Sequence, residues 1–322
     1  MALSPRMLLL AVCVALLLAL VASSGSAGSA EVSYDPRSAS GSLAAEVERL
    51  EQQARMGWDK ELRQLSWYGL DDGQVVLDVG CGPAFTVRLL LDMLPELHVV
   101  CLEPDGDLLA EAARVTAPYG DRVTLVQGEI EDAESLPEFR AATPEGGFDM
   151  VIARYVLQHV ADPILALERM HDLVRIGGVV AIADVDAPIS GVVDPPVHSL
   201  AAVLPRYIQS QRTRGGDRLI GRRLARFMYA AGLDEIQVDA VLSHSDQYGI
   251  ELFRAMMTVD RLRVGLDEGW LTKLEMDRIT EEVDAFFANE DSIAMSVVIY
   301  TAGKRTTTYP SPSSEAGGKE DL

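Results

Sequence analysis

An α/β fold is predicted, a doubly wound, mostly parallel sheet of seven strands interrupted by helical insertions. Two observations predict it. Short β-rich runs, "QVVLDV", "HVVCLE", "RVTLVQ", "FDMVIA" and "GVVAIAD", alternate with amphipathic stretches at about 84–95, 105–117 and 162–175, and strands interleaved with helices imply parallel pairing with helices on both faces. The run "VVLDV" before Gly80 also reads as a buried strand that leads through a glycine turn into a helix.

The elements follow in order. Residues 1–30 hold one basic residue, Arg6, then an unbroken apolar run from Met7 to Val21, then small residues. That is the layout of a secretory signal peptide, cut between about Ser24 and Ala30, with an uncleaved anchor as the alternative. Residues 31–42, rich in Ser, Gly and Pro, read as a linker, and 43–67 as one amphipathic helix with apolar residues at 43, 47, 50 and 54. After the fifth strand a Pro-bounded insertion at 187–216 contains a helix. The stretch "DRLIGRRLARFMYAAG" then leads into the strand "EIQVDAVL", a second helical insertion spans 244–290, and "SIAMSVVIYTAG" is the last strand, closing a domain of 43–303. Both insertions leave the sheet on the carboxyl side of its strands, where ligands of open α/β sheets sit, and read as a substrate lid. Residues 304–322 read as a disordered tail ending in Lys-Glu-Asp-Leu, which exchanges the two acids of the Lys-Asp-Glu-Leu retention signal. Signal and tail together predict the endoplasmic reticulum lumen, with a retention receptor as partner and no stable membrane span once the signal is cut.

Composition narrows the chemistry. Acids outnumber bases 49 to 28 for a formal charge of −21, with no basic patch, so nucleic acid is not the expected partner. Three cysteines, one of them Cys13 in the apolar leader, exclude a disulfide framework. The only Asn, Asn289, is not in a glycosylation motif.

The stretch "VVLDVGCGPAFTVRLL" carries most information. Gly80 and Gly82 let the backbone turn tightly beside a ligand, and the following helix points its amides at that ligand. A dinucleotide fingerprint wants a third glycine where Phe85 stands, which argues against an NAD-dependent reductase. Glu103 ends the second strand, where an acid accepts hydrogen bonds from ribose hydroxyls.

With "LDVGCGPAF", "CLEPD", "VQGEIED", "FDMVIARYVLQHVADP" and "LVRIGGVVAIAD" in this order, residues 70–185 resemble the small-molecule branch of the class I S-adenosylmethionine-dependent methyltransferases, whose fold is Rossmann-like. The resemblance implies S-adenosylmethionine as cofactor. It places Asp78, Gly80, Cys81 and Gly82 around the methionine part, Glu103 and Pro104 at the ribose, and Glu129 and Ile130 at the adenine. Ala153 and Arg154 would face the amino-acid end and the substrate. Plainer readings stand beside these: Glu129 in an acidic run, Arg154 in a structural ion pair, Cys81 and Cys101 as reduced packing residues.

Methyl transfer needs a general base only when the nucleophile is protonated, and no residue announces itself as that base. Tyr155 and His159 are the catalytic candidates, with a satisfied structural histidine as the other reading of His159. Asp186, with Asp184 beside it, Tyr207 and Tyr248 are candidate substrate contacts, and His198 and His244 weaker ones. No metal is expected, because the acidic cluster and Asn of a metal-dependent relative are missing. The expected function is methyl transfer to N, O, S or C of a small molecule. The alternatives are methylation of a peptide or protein side chain, and cofactor binding without catalysis.

Overall fold

The computed structural model describes residues 33–257 and 259–307. The leader at 1–30 and the Lys-Glu-Asp-Leu end fall outside the described residues.

The sheet is built from β1 (Val75–Val79), β2 (His98–Glu103), β3 (Val123–Gln127), β4 (Phe148–Arg154), β5 (Val174–Asp184), β6 (Gly191–Asp194), β7 (Asp234–His244) and β8 (Ile293–Lys304), in the order β3-β2-β1-β4-β5-β8-β6 with β7 also paired to β8. β1 to β5 are parallel, and β8 runs antiparallel to β5, β6 and β7. The seven expected strands are present. β6 is an eighth, too short and too Pro-bounded at 195–196 to read as a strand, and it forms by pairing Gly191–Asp194 with the first residues of β8.

Alternation along the strands feeds two cores. Leu77, Val79, Val100, Leu102, Val151 and Ile182 pack on one face. Val76, Val99, Cys101, Met150, Ile152 and Ala181 pack on the other. Helices α4 (Phe85–Met93), α5 (Gly106–Thr116), α6 (Pro137–Ala142), α7 (Pro163–Leu173) and α9 (Leu224–Ala230) cover the sheet. A third core, with Phe253, Ile279, Val283 and Phe286, lies under the insertions, where α8 (His198–Thr213) packs on α12 (Lys273–Ala288).

Two expectations at the amino end are corrected. Residues 31–42 are no free linker where described: Pro36–Ala39 form a helical turn, α1, while Ser33 and Ser40 are buried. Arg37 holds this segment down by ion pairs to Asp105, at 3.1 Å, and Asp107. The single helix expected over 43–67 is two, α2 (Leu43–Arg55) and α3 (Trp58–Trp67). They break at Gly57, whose φ of +75° suits glycine and where a Cβ would lie 2.3 Å from Ser243 Oγ.

Candidate active site

The carboxyl ends of β1, β2 and β4 open into a cavity of about 950 Å³, a volume at the upper end of small-molecule sites, roughly 300–1,000 Å³. Its floor is the loop after β1. The N–H groups of Gly80 and Cys81 both donate to the Leu102 carbonyl, at 2.7 and 3.3 Å, which fixes the turn against β2. Gly80 has φ +66° and no space, since a Cβ would meet Val156 at 2.6 Å. Gly82 has φ +56°, and no protein atom lies within 4 Å of where its Cβ would be.

Three features of this floor fit S-adenosylmethionine. Asp78 lines the cavity and is 3% exposed, and its carboxyl makes no hydrogen bond or ion pair among the described residues. Burial first, then the charge of Glu103, pushes its carboxyl up to about 7, against the pull of Arg154. A buried carboxylate without a partner is a place for a cation, and the cofactor's methionine ammonium is one. Glu103 accepts from the Gly82 and Asp105 N–H groups, at 2.8 and 3.0 Å, and a carboxylate has about four lone-pair sites, so acceptor capacity for a ribose diol remains. Pro104, Glu129 and buried Ile130 continue this wall as an edge for the adenine, and Cys81 lines it with its thiol against Cys101, both unoxidised.

At the end of β4 the expectations divide. Tyr155 lines the cavity with φ +61°, a conformation that costs a non-glycine residue roughly 1–3 kcal/mol. Its N–H bonds the Ala183 carbonyl at 2.7 Å, and the Arg154 guanidinium lies 4.6 Å over its ring. Burial pushes its hydroxyl up to about 12, so it is no base near neutrality. Arg154 lines the cavity but is spoken for, bonding Glu61 at 2.7 and 2.9 Å and the Gln53 carbonyl at 3.0 Å, while the Tyr300 hydroxyl takes the same Glu61 at 2.5 Å. The structural-ion-pair reading of Arg154 is the one its geometry supports. Ala153 is enclosed in the sheet between Val79 and Ile182 and does not line the cavity, a correction set by its register.

His159 does line it, and it is clamped from outside the sheet. Its Nδ1 lies 3.0 Å from Ser33 Oγ and 3.3 Å from Gln211 Nε2, and the Tyr34 ring sits 5.1 Å away. Burial, then the charges of Arg218, Arg261 and Arg49, pushes it down to about 3, so it remains a neutral imidazole.

All three expected substrate contacts lie off the cavity. Asp186 is held in a two-bond ion pair with Arg222, at 2.5 and 2.6 Å, and its carbonyl caps the turn at Ile189–Ser190. Tyr207 packs on Trp270 and under Arg218. Tyr248 donates to Asp59 at 2.5 Å on the flank of α3. His198 and His244 do not line the cavity, and buried Asp184 accepts from the Gln158 and Val185 N–H groups. The roof comes from elsewhere: Tyr34, then Arg49, Leu50, Gln53 and Ala54 of α2, with Thr213–Gly215 and Arg261 as the insertions' share. Of the apolar residues at 43, 47, 50 and 54 only Ala54 is buried, and the helix buries Glu46 and Arg49 beside it, which the apolar spacing gave no sign of. Among the described residues no cluster of His, Cys, Asp and Glu is suited to a metal, and no helix is long and apolar enough to cross a membrane.

Residues 77–180 match a family model described as a methyltransferase domain. The chain is 32% identical over 113 residues to trans-aconitate 2-methyltransferase of Azoarcus sp., covering 35% of this chain and 40% of that protein. It is 25% identical over 178 residues to ubiquinone biosynthesis O-methyltransferase of Psychrobacter cryohalolentis, covering 55% and 62%. Among solved structures, phosphoethanolamine N-methyltransferase 2 of Haemonchus contortus aligns at 20% identity and a TM-score of 0.48 over 78% of this chain and 53% of that one, too remote to inform the acceptor. The chain spans about half the length of the curated relatives it matches. Residues 77–180 thus form a methyltransferase domain, and the floor described above fits S-adenosylmethionine as its cofactor.

Proposed function

We propose that the protein transfers a methyl group from S-adenosylmethionine to a nucleophilic N, O, S or C atom of a small molecule. The observation that carries this reading is one cavity whose lining joins the strand-end residues Asp78, Gly82 and Glu103, which suit the cofactor, to Tyr34, α2 and residues of the insertions. The names of the relatives, a trans-aconitate and a ubiquinone-pathway methyltransferase, support a small acceptor.

When bound, the cofactor supplies an activated methyl group, whose bond to sulfur breaks as the bond to the acceptor forms. The chain's own residues position and enclose. Asp78 would hold the methionine ammonium and Glu103 the ribose hydroxyls, and the left-handed turn at Tyr155 sets that residue in the cavity lining. Alignment of reacting groups is worth several kcal/mol, about 7–11 in favourable cases. Neither catalytic candidate is a strong base: Tyr155 is a neutral phenol and His159 a weakly basic imidazole. The acceptor atom would therefore be one already unprotonated, or one that loses its proton to water.

The small-molecule reading is preferred to a protein side chain because Tyr34 and α2 add their side chains to the cavity lining. The endoplasmic reticulum lumen is the proposed compartment, supported by the apolar leader and the Lys-Glu-Asp-Leu end, read by a retention receptor. Incubating the protein with methyl-labelled S-adenosylmethionine and an extract of that lumen tests the whole. Label in the small-molecule fraction is expected. Label in the protein fraction, or none beside measurable cofactor binding, would contradict the reading.

A further inference from the structure

The two halves of the cavity carry opposite charge. Around the floor are Asp78 and Glu103, with Glu129, Glu131 and Asp162 close enough to one another that their charges add. Around the roof the lining charges are arginines, Arg49, Arg214 and Arg261, with Arg218 behind them over the Tyr207 ring. Arg49 is neutralised by Glu46 at 2.6 Å and Arg214 by Glu268 at 3.3 Å. Arg261 and Arg218 have no carboxylate partner among the described residues, and Arg218 Nε is buried without a hydrogen bond.

A partly buried guanidinium left uncompensated is costly unless something pairs with it, and here two stand together. Their proximity is felt: Arg261 is held down to about 10, first by burial and then by the charges of Arg49 and Arg218, against the opposing pull of Tyr207 and Glu46, and still stays cationic at neutral pH. The chain as a whole is at −21, so this cluster runs against the sign of the molecule. Charges on the outer surface are largely screened beyond about 8 Å at physiological salt, which leaves the local arginines in control of what enters.

We infer that the methyl acceptor is a small organic anion, whose carboxylate or phosphate pairs with Arg261 in the roofed half of the cavity. This rests on the floor being the cofactor site. Guanidinium suits both groups, because its fork of N–H donors matches two oxygens at once. An amine acceptor would meet the unpaired charge of Arg261, with Arg218 behind it, instead.

The test is isothermal titration of the full chain, with and without S-adenosylhomocysteine, against matched probes: phenylacetate, phenyl phosphate, phenylacetamide and phenethylamine, and then octanoate, octanamide and octylamine. An anion is expected to bind about tenfold or more tightly than its neutral partner, the scale of one charge-assisted hydrogen bond, and which of phenylacetate and phenyl phosphate is tighter tells carboxylate from phosphate. Arg261→Met should erase that preference, Arg261→Lys should keep part of it, and S-adenosylhomocysteine affinity should stay within about twofold in both. Thermal unfolding of the two variants checks that they fold. The inference is overturned if no anion outbinds its amide and amine, or if Arg261→Met weakens S-adenosylhomocysteine and leaves the anion preference intact. Failure of the wild type to bind S-adenosylhomocysteine would remove the cofactor reading alone, since the probe titrations without it still judge the charge preference.

Discussion

The floor and the roof of the cavity are made differently. Every floor residue sits within a few positions of a strand end, Asp78 to Gly82 after β1, Glu103 and Pro104 after β2, and Glu129 and Ile130 after β3. The roof gathers Tyr34, Arg49, His159, Arg214 and Arg261, residues separated by tens of positions in the chain and joined only by packing. The floor is thus local loop chemistry, legible as a motif, whereas the roof is a constellation that no single stretch of sequence announces. The two parts are joined by Glu61, which ties α3 to Arg154 of β4 and Tyr300 of β8.

Breaking that tie should have the largest effect. Glu61→Ala leaves the buried Arg154 uncompensated and is expected to lower unfolding free energy by about 3–5 kcal/mol, read by chemical denaturation; a loss below 1 kcal/mol would mean the two parts stand independently. The next effect separates floor from roof by pH. Asp78 has a folded pKa of about 7, raised by burial, so its stabilising contribution is full below the unfolded value near 4 and is lost as pH rises through 7. His159 is depressed to about 3, so its contribution is present above about 6.5 and is lost as pH falls towards 3. Asp78→Asn should therefore raise thermal stability at pH 8 and leave it nearly unchanged at pH 4, by at most about 4 kcal/mol at the higher pH. His159→Gln should flatten the acid side only. Equal effects of either substitution at both ends of the range would contradict the assignment. The smallest effect is expected at the clamp: Tyr34→Phe removes one hydrogen bond to Glu46, 2.8 Å long, and should cost about 0.5–1.5 kcal/mol by the same denaturation measurement, while phenylacetate affinity shifts more than S-adenosylhomocysteine affinity.

How much was legible in the sequence follows the same division. The five parallel strands, the Gly80 and Gly82 turn and the acid at 103 were readable because each depends on a few adjacent residues: an apolar run, a glycine with positive φ, a side chain at a strand end. Asp186, Tyr207 and Tyr248 were misjudged, since lying near a strand's carboxyl end or in an insertion does not say which neighbour claims a side chain; Arg222, Trp270 and Asp59 do. The segment 33–42 looked like a linker because its composition is that of a loop, and its burial comes from Arg37 reaching Asp105 and Ser33 reaching His159, partners 68 and 126 positions away. β6 exists only because β8 is there to pair with it.

The most direct test is calorimetric titration of the full chain with S-adenosylhomocysteine, beside Asp78→Asn and Gly82→Val. One site is expected in the wild type. Asp78→Asn should weaken it about 10- to 100-fold, the scale of a charge-assisted hydrogen bond, and Gly82→Val should abolish it by filling the open space above the turn. No binding in the wild type, or equal binding in all three proteins, would contradict a cofactor site at the end of β1.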